Sequence, residues 1–574
     1  MKKLKHIIIT GLVLTGLGLG SCEMLEPESS NTYTLDDVKS YINYAEGILL
    51  TAYRDLPTSH SNFVLDYGSD DAVTNDRNAG VKNANDGGWT ANSNPFGVWN
   101  AAYESIMYIN TFLEEMSEVV WYWKGEYIDS LYSERLKGEA YGLRAYFYFG
   151  LLQAHAGKGA NGEMLGVPIV DHVLDPSNPD DYEIERSTFN ELVEFILADC
   201  DSALSRLPNR YKNTNDIFFN VAMGEDYTNR INGMAVMLIK TKTLLYAASP
   251  AYSDGTYTYM QAAESAAEIM DLNKGLSEVD LSNQGHLQFY NNDNVTTEKN
   301  LHQEVFWYSS RSNINSWEVN NYPPSLYGNG RTNPTQELVN AFPLVDGIPA
   351  RADKINSSDP YSGRDPRLSK YIFYNGQTIY RAGDTVKINT AAGSQDALGS
   401  SDPNTTLTGY YLRKFMSINV NTDPDVNSSA THYYVYARYT DVLLMFAEAA
   451  NQAVGPDGDI GGYTARNVIN AIRDRAGIIS TFWVSIQDQE GMEELIKNER
   501  RLEMCFENQR FWDLRRWKMT DVMAKPVTGV RISADGSTLT YVNVENRNYS
   551  DYQIYGPIPY GETLKYELIQ NEGW

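Results

Sequence analysis

Three carboxylates spaced four residues apart, Glu499, Glu503 and Glu507, share one face of a predicted helix in the run from Asn498 to Trp517. Leu495, Leu502 and Phe506 make an apolar stripe beside them. Arg510, Asp513, Arg515 and Arg516 then surround Phe511, Trp512 and Trp517. Two chemistries suit such a set. A carboxylate cluster could supply a general acid and a general base. Alternatively, guanidinium forks could pair the carboxylates and lie on the indole faces. Carboxylates matched by arginines are held ionised, whereas a general acid needs a raised pKa, so the run predicts a structural ion-pair network. Asp70-Asp71 and Asp365 are further acids that a hydrolase could use. The seven histidines never pair at a spacing of four, and no HExxH, GxSxG, Walker or GxGxxG pattern stands in its expected context. Asp423-x-Asp425-x-Asn427 lacks the glycine and distal glutamate of a calcium loop and reads as a solvated turn. No metal, cofactor or catalytic residue is expected.

Aromatic side chains in polar loops offer a different chemistry. Sugars present C–H groups on their ring faces and hydroxyls at the rim, so a binder needs flat aromatics and forked polar groups. Trp89 stands among Asp86, Gly87, Gly88 and Asn92; Trp317 stands among Asn313, Asn315, Ser316 and Asn320. Tyr322 and Tyr327 flank Pro323-Pro324. These four are the candidate glycan platforms, with Arg311, Asn313, Asp66 and Asp86 as hydrogen-bonding partners. The competing reading places such rings in small cores beneath loops, where Tyr and Trp are often buried. Trp307 and Tyr308, within Glu304–Tyr308, read as a buried strand and are not candidates.

The elements that must position these groups divide the chain. Helical patterns start at Thr34-Leu-Asp-Asp37, a capping box, and recur over Trp99–Met116, Glu134–His155, Thr188–Leu207, Ile231–Ala248 and Tyr259–Met270. Tyr67 to Pro95 reads as a long irregular loop. From about Asn273 to His432, Gly, Asn, Ser, Pro and Tyr dominate, and this is where a ligand is expected. Helices return at Thr440–Asn451, Tyr463–Ala476 and Ser485–Glu507, before an extended tail. Residues 22–272 form an N-terminal helical part, 273–437 a loop-rich ligand-binding part, and 438–574 C-terminal helices and a tail. No strict 34-residue period is visible.

The first residues give a location. Lys2, Lys3 and Lys5 precede an apolar stretch from Ile7 to Gly20, too short to span a bilayer and typical of a signal peptide. Leu19-Gly20-Ser21-Cys22 follows and resembles a bacterial lipobox, so residues 1–21 are a predicted leader and Cys22 the predicted lipidation site. Losing the leader removes three lysines and takes the formal charge from −27 to −30, which argues against nucleic acid and anionic lipid as partners. Cys200 and Cys505 then remain, both in helical patterns, and read as buried thiols, with one disulfide between them as the alternative.

Several segments in order resemble those of the SusD-like (RagB/SusD) family. They include Glu139-Ala140 with Leu143-Arg144-Ala145, Leu244-Leu-Tyr-Ala-Ala-Ser-Pro250, Pro334-Thr-Gln-Glu-Leu-Val339, Arg364-Asp-Pro-Arg-Leu368, Gly409-Tyr-Tyr-Leu-Arg-Lys-Phe415, Arg438 to Ala449, the Asn498–Trp517 run and the terminal Gly573-Trp574. Asn508 stands where the family helix usually has glycine. The resemblance implies a mostly α fold, with tetratricopeptide-like helix pairs packed against an irregular loop-rich domain. It implies a non-enzymatic surface lipoprotein of the outer membrane that binds a glycan and serves a SusC-like TonB-dependent transporter. Peptide capture on the same fold, and a surface glycoside hydrolase with two carboxylates about 5–10 Å apart, are the alternatives.

Overall fold

The computed structural model describes residues 34–59, 63–278, 304–351 and 359–574; the leader and Cys22 lie outside the described residues. Thr34 forms the expected capping box with Asp37, but the helix it starts breaks at Tyr41 into Leu35–Ser40 and Ile42–Arg54. Helices Trp99–Glu115, Glu126–His155, Phe189–Leu204, Gly233–Ala248, Tyr259–Leu272 and Tyr439–Val454 pack in succession, each on the next. The C-terminal helices therefore continue the array that the N-terminal ones begin. The fold is mostly α.

Close approach in this array depends on small residues. A Cβ on Gly138 of the Glu126–His155 helix would meet Leu207 at 2.7 Å, too close without movement. Gly233–Ala248 is buried at every position but Lys240, which explains why its sequence carries no continuous polar face. Arg144 is also interior, and a fork of two 2.8 Å bonds to Asp199 compensates its charge.

The loop-rich region is held by two-stranded antiparallel pairings that join distant segments. Ala72–Thr74 pairs with Thr332–Pro334, so the stretch read as an irregular loop from Tyr67 to Pro95 contains a strand. Val305–Tyr308 is buried throughout and pairs with Val435–Arg438. Cys200 and Cys505 are free, buried thiols.

The Asn498–Trp517 run is the centre of a buried ionic network. Arg438 forks onto Glu507 with two 2.8 Å bonds and reaches Glu304 at 2.8 Å. Lys414 bonds Glu507 at 2.7 Å. Arg367 bonds Asp365 at 2.7 Å and also pairs Glu499 and Glu503. Arg500 joins Asp441 to Asp513 at 2.7 Å each. Arg501 and Arg510 converge on Asp70 at 2.9 and 2.8 Å. Arg515 departs from the expected pairing: it donates to the Ile554 carbonyl at 2.7 Å and stacks 5.0 Å over Trp512, fixing the tail instead.

Burial pushes the Glu507 carboxyl up, but Arg438 and Lys414 outweigh it and hold the group below its ordinary value. Lys242 and Arg500 do the same for buried Asp441, and Arg501 and Arg510 for buried Asp70. Asp66 runs the other way, because burial and then Asp71 raise it.

Replacing Arg438 with Met leaves Glu304 and Glu507 short of a partner, so the variant should lose about 3–5 kcal/mol in chemical denaturation at neutral pH. Lowered folded pKa values contribute stability above the unfolded value and lose it as pH falls through the folded one. The melting temperature should therefore fall below pH ~4 as Asp70, Asp441 and Glu507 take up protons. Asp66, with a raised value, contributes the opposite slope, so Asp66→Asn should leave that acid limb in place. A melting temperature independent of pH between 5 and 3 would contradict this account of the network.

Candidate functional site

Pro323-Pro324 opens a 3-10 turn, Pro324–Leu326, which ends on Tyr327 in the left-handed region at φ 60. The turn closes through Tyr327 N–H to the Pro324 carbonyl at 2.9 Å. Gly328 permits the next step, since a Cβ there would lie 2.0 Å from the Tyr322 carbonyl oxygen. The loop then folds back on the Ser316–Asn321 helix: Asn329 N–H donates to Val319 O at 2.8 Å and Arg331 N–H to Asn320 O at 2.9 Å.

Asn75, just past the Ala72–Thr74 strand, binds this loop to a second one. Its amide donates to Asn329 O at 2.9 Å and Thr405 O at 3.3 Å, and accepts from Arg331 Nη1 at 3.1 Å. A third loop joins through Thr422, whose hydroxyl donates to Leu326 O, and through Asn315, whose amide donates to Asn427 Oδ1 at 2.7 Å.

The result is a cleft of about 440 Å³ with Tyr327, Asn329, Asp402, Asn404, Pro424 and Asn427 on its walls. Tyr327 is 55% exposed, so one phenol face is available beside amides and a carboxylate. Such a set can stack on the C–H face of a sugar and bond its rim hydroxyls. Asp423-x-Asp425-x-Asn427 forms a turn, with Asp425 N–H on Asp423 Oδ1 at 3.0 Å.

The other sequence candidates lie elsewhere. Trp317 is 1% exposed, sits 4.3 Å from the His432 ring and contacts Phe415. Its short helix turns 317, 318 and 321 inward, so the polar neighbours in sequence do not surround the ring in space. Trp89 is 4% exposed, packs on Phe96, Phe511 and Trp574, and spends its N–H on Asn94 at 3.0 Å. Tyr322 is 1% exposed and donates to Ser417 O at 2.8 Å. Asp66 is buried beside Asp71, Lys414 and Glu507 and accepts from Asn508 N–H at 3.3 Å. None of these four presents a face or an oxygen to a ligand, which corrects the sequence expectation for them.

Arg311 is half-buried over the Tyr308 ring at 5.3 Å. Asn313 is exposed on the strand Ser312–Ile314 opposite Thr431. Asp86 is exposed next to Asn85, which bonds Glu545 at 2.9 Å. None of the three lines the Tyr327 cleft. The missed wall residues had one signal. Asp402-Pro403 and Asp423-Pro424 are turn dipeptides in the loop-rich region, and both turns border the cleft.

A family model described as the SusD family matches residues 286–574, and one described as starch-binding, associating with outer membrane, matches 23–222. The chain belongs to the SusD family. A SusD-like protein of Formosa agariphila (P38) is 24% identical over 563 residues, covering 92% of this chain and 95% of its own. A solved SusD-like protein of Bacteroides fragilis superposes with TM-score 0.75 at 24% identity, over 94% of this chain and 98% of its own. A SusD-like carbohydrate-binding protein of the same organism superposes with TM-score 0.68 at 18% identity, over 92% and 98%. Within this SusD-family chain, Asn508 is left-handed at φ 57, a conformation that glycine adopts freely and asparagine tolerates.

Trp317→Ala should cost about 3–5 kcal/mol of stability, as expected for emptying a core indole site. Thermal unfolding checks it, and an unchanged melting temperature would return Trp317 to the surface.

Proposed function

We propose that this SusD-family protein captures an oligosaccharide or polysaccharide at the cell surface and delivers it to a SusC-like TonB-dependent transporter in the outer membrane. Cys22 carries the lipid anchor in this reading. The observation that carries it is the open Tyr327 ring on a shelf of amides built from three mutually bonded loops. Family membership and the carbohydrate-binding relative support the cargo class.

Binding without turnover is part of the proposal. The carboxylates first considered as acids are committed elsewhere. Asp70 is held ionised by Arg501 and Arg510, and Asp365 pairs Arg367 at 2.7 Å. Neither lines the Tyr327 cleft. The remaining carboxylate there, Asp402, accepts the Asn404 N–H at 2.9 Å and so helps shape its own loop.

A polysaccharide array probed with the soluble chain starting after Cys22 should retain one glycan class and release no shorter sugars. Tyr327→Ala should then weaken binding roughly tenfold with little change in melting temperature. Retention of peptides instead of glycans, or product sugars from purified protein, would overturn the cargo or the non-enzymatic reading respectively.

A further inference from the structure

A second polar cleft, of about 630 Å³, lies in the loop-rich part away from the Tyr327 walls. Its sides include Tyr361, Tyr374, Asn375, Gln377, Thr378 and Arg413. Tyr361 and Tyr374 stack with centroids 4.2 Å apart and 23° between planes, and both rings are only partly buried. Tyr361 is braced by its hydroxyl, which donates to Tyr410 Oη at 3.2 Å. Asn375 Oδ1 accepts Thr390 N–H at 2.9 Å, which orients its amide.

Two side chains meet on one carbonyl. Gln377 Nε2 donates to Ser369 O at 2.7 Å, and Arg413 Nη1 donates to the same oxygen at 2.5 Å. Gln377 is 6% exposed, and its Oε1 has no protein donor among the described residues. That oxygen is itself closed off from solvent, so Gln377 serves the cleft by bracing the Ser369 carbonyl beside Arg413 rather than by contact with a ligand. Arg413 has no carboxylate within ion-pair distance among the described residues, unlike the arginines of the network. Its guanidinium is therefore available to acceptors that enter beside Gln377.

We infer that this cleft is a second glycan subsite, in which Arg413, set beside Gln377 on the Ser369 carbonyl, donates to sugar oxygens and the Tyr361–Tyr374 pair forms the apolar wall. The inference rests on the glycan-capture reading. A link to the first site exists in the core. Tyr322, whose carbonyl accepts Gly330 N–H in the Tyr327 loop at 3.0 Å, packs its ring 5.9 Å from Phe373, the neighbour of Tyr374. One chain bound at both clefts would gain avidity that a short fragment cannot.

The test uses the soluble chain starting after Cys22. An array of α- and β-glucans, galactans, mannans and uronate-rich polysaccharides selects the retained glycan. Hydroxyl-radical footprinting with that polysaccharide then reads protection of Tyr327 and Tyr374 separately. Protection of both is expected. Arg413→Met should abolish protection at Tyr374, leave it at Tyr327, and weaken binding of the long chain about tenfold. Tyr374→Ala is the second variant, read at Tyr361, with the melting temperature confirming the fold. Protection at Tyr327 alone overturns the second subsite and leaves glycan capture standing. Retention of no glycan overturns the capture reading and this inference with it.

Discussion

Pairing of buried guanidinium groups with carboxylates is the constraint on which the rest of this molecule depends. Arg367, Arg438, Arg500 and Arg516 are each buried, and each is answered by at least two carboxylates. An isolated charge in that interior would cost several kcal/mol, so each arginine demands its partners in place. Those partners, and the Asp70 carboxylate that Arg501 and Arg510 share, come from separate segments. Asp70 lies in the N-terminal region, Asp365 and Glu304 in the loop-rich part, and Asp441, Glu448 and the Glu499–Glu507 face in the C-terminal helices. The network thus decides which distant segments must meet, a task that apolar contacts do less selectively.

That constraint also makes room for loops. The loop-rich region gives Trp307, Trp317, Phe373 and Phe415 to the core but forms little regular structure of its own. Specific bonds hold it as well. Lys414 enters the network through Glu507, and Glu318 Oε1 accepts Ser417 N–H at 2.6 Å, tying the Ser316–Asn321 helix to the same segment. With these fixed, the Tyr327 turn can hold a left-handed tyrosine, a conformation that costs energy in an unsupported loop.

The sequence was most legible where charge and periodicity coincide. Glu499, Glu503 and Glu507 at intervals of four, followed by arginines, predict the network that the fold contains, and the capping boxes at Thr34 and Thr188 mark real helix starts. The site was far less legible. Trp89 and Trp317 have polar neighbours along the chain, yet their rings face Phe511, Trp574, Phe415 and His432, which lie far away in sequence. An Asn or Gly beside a tryptophan describes the backbone's need for a turn, not the ring's surroundings. Tyr322 and Tyr327 flank the same two prolines, yet Tyr322 packs on Phe373 while Tyr327 stays exposed, a split the sequence does not show. The walls opposite Tyr327 were not visible either, since Asp402, Asn404 and Asn427 reach it only through tertiary pairing.

Rigid loops matter more for a glycan than for most ligands. Each sugar offers weak, solvated hydroxyls, so little of the gross interaction survives if the protein must also order itself. In the Tyr327 cleft that ordering is settled in the fold. Asn75 bonds two loops at once, and Arg331 fixes Asn75 in turn. The loop backbones that carry the amides and the phenol are therefore held in relation before a ligand arrives. Trp317 contributes to the same end from below: it anchors the Ser316–Asn321 helix, on which the Tyr327 loop folds back, against Phe415. In the proposed reading its part is therefore support of the surface that carries Tyr327, not contact with a sugar.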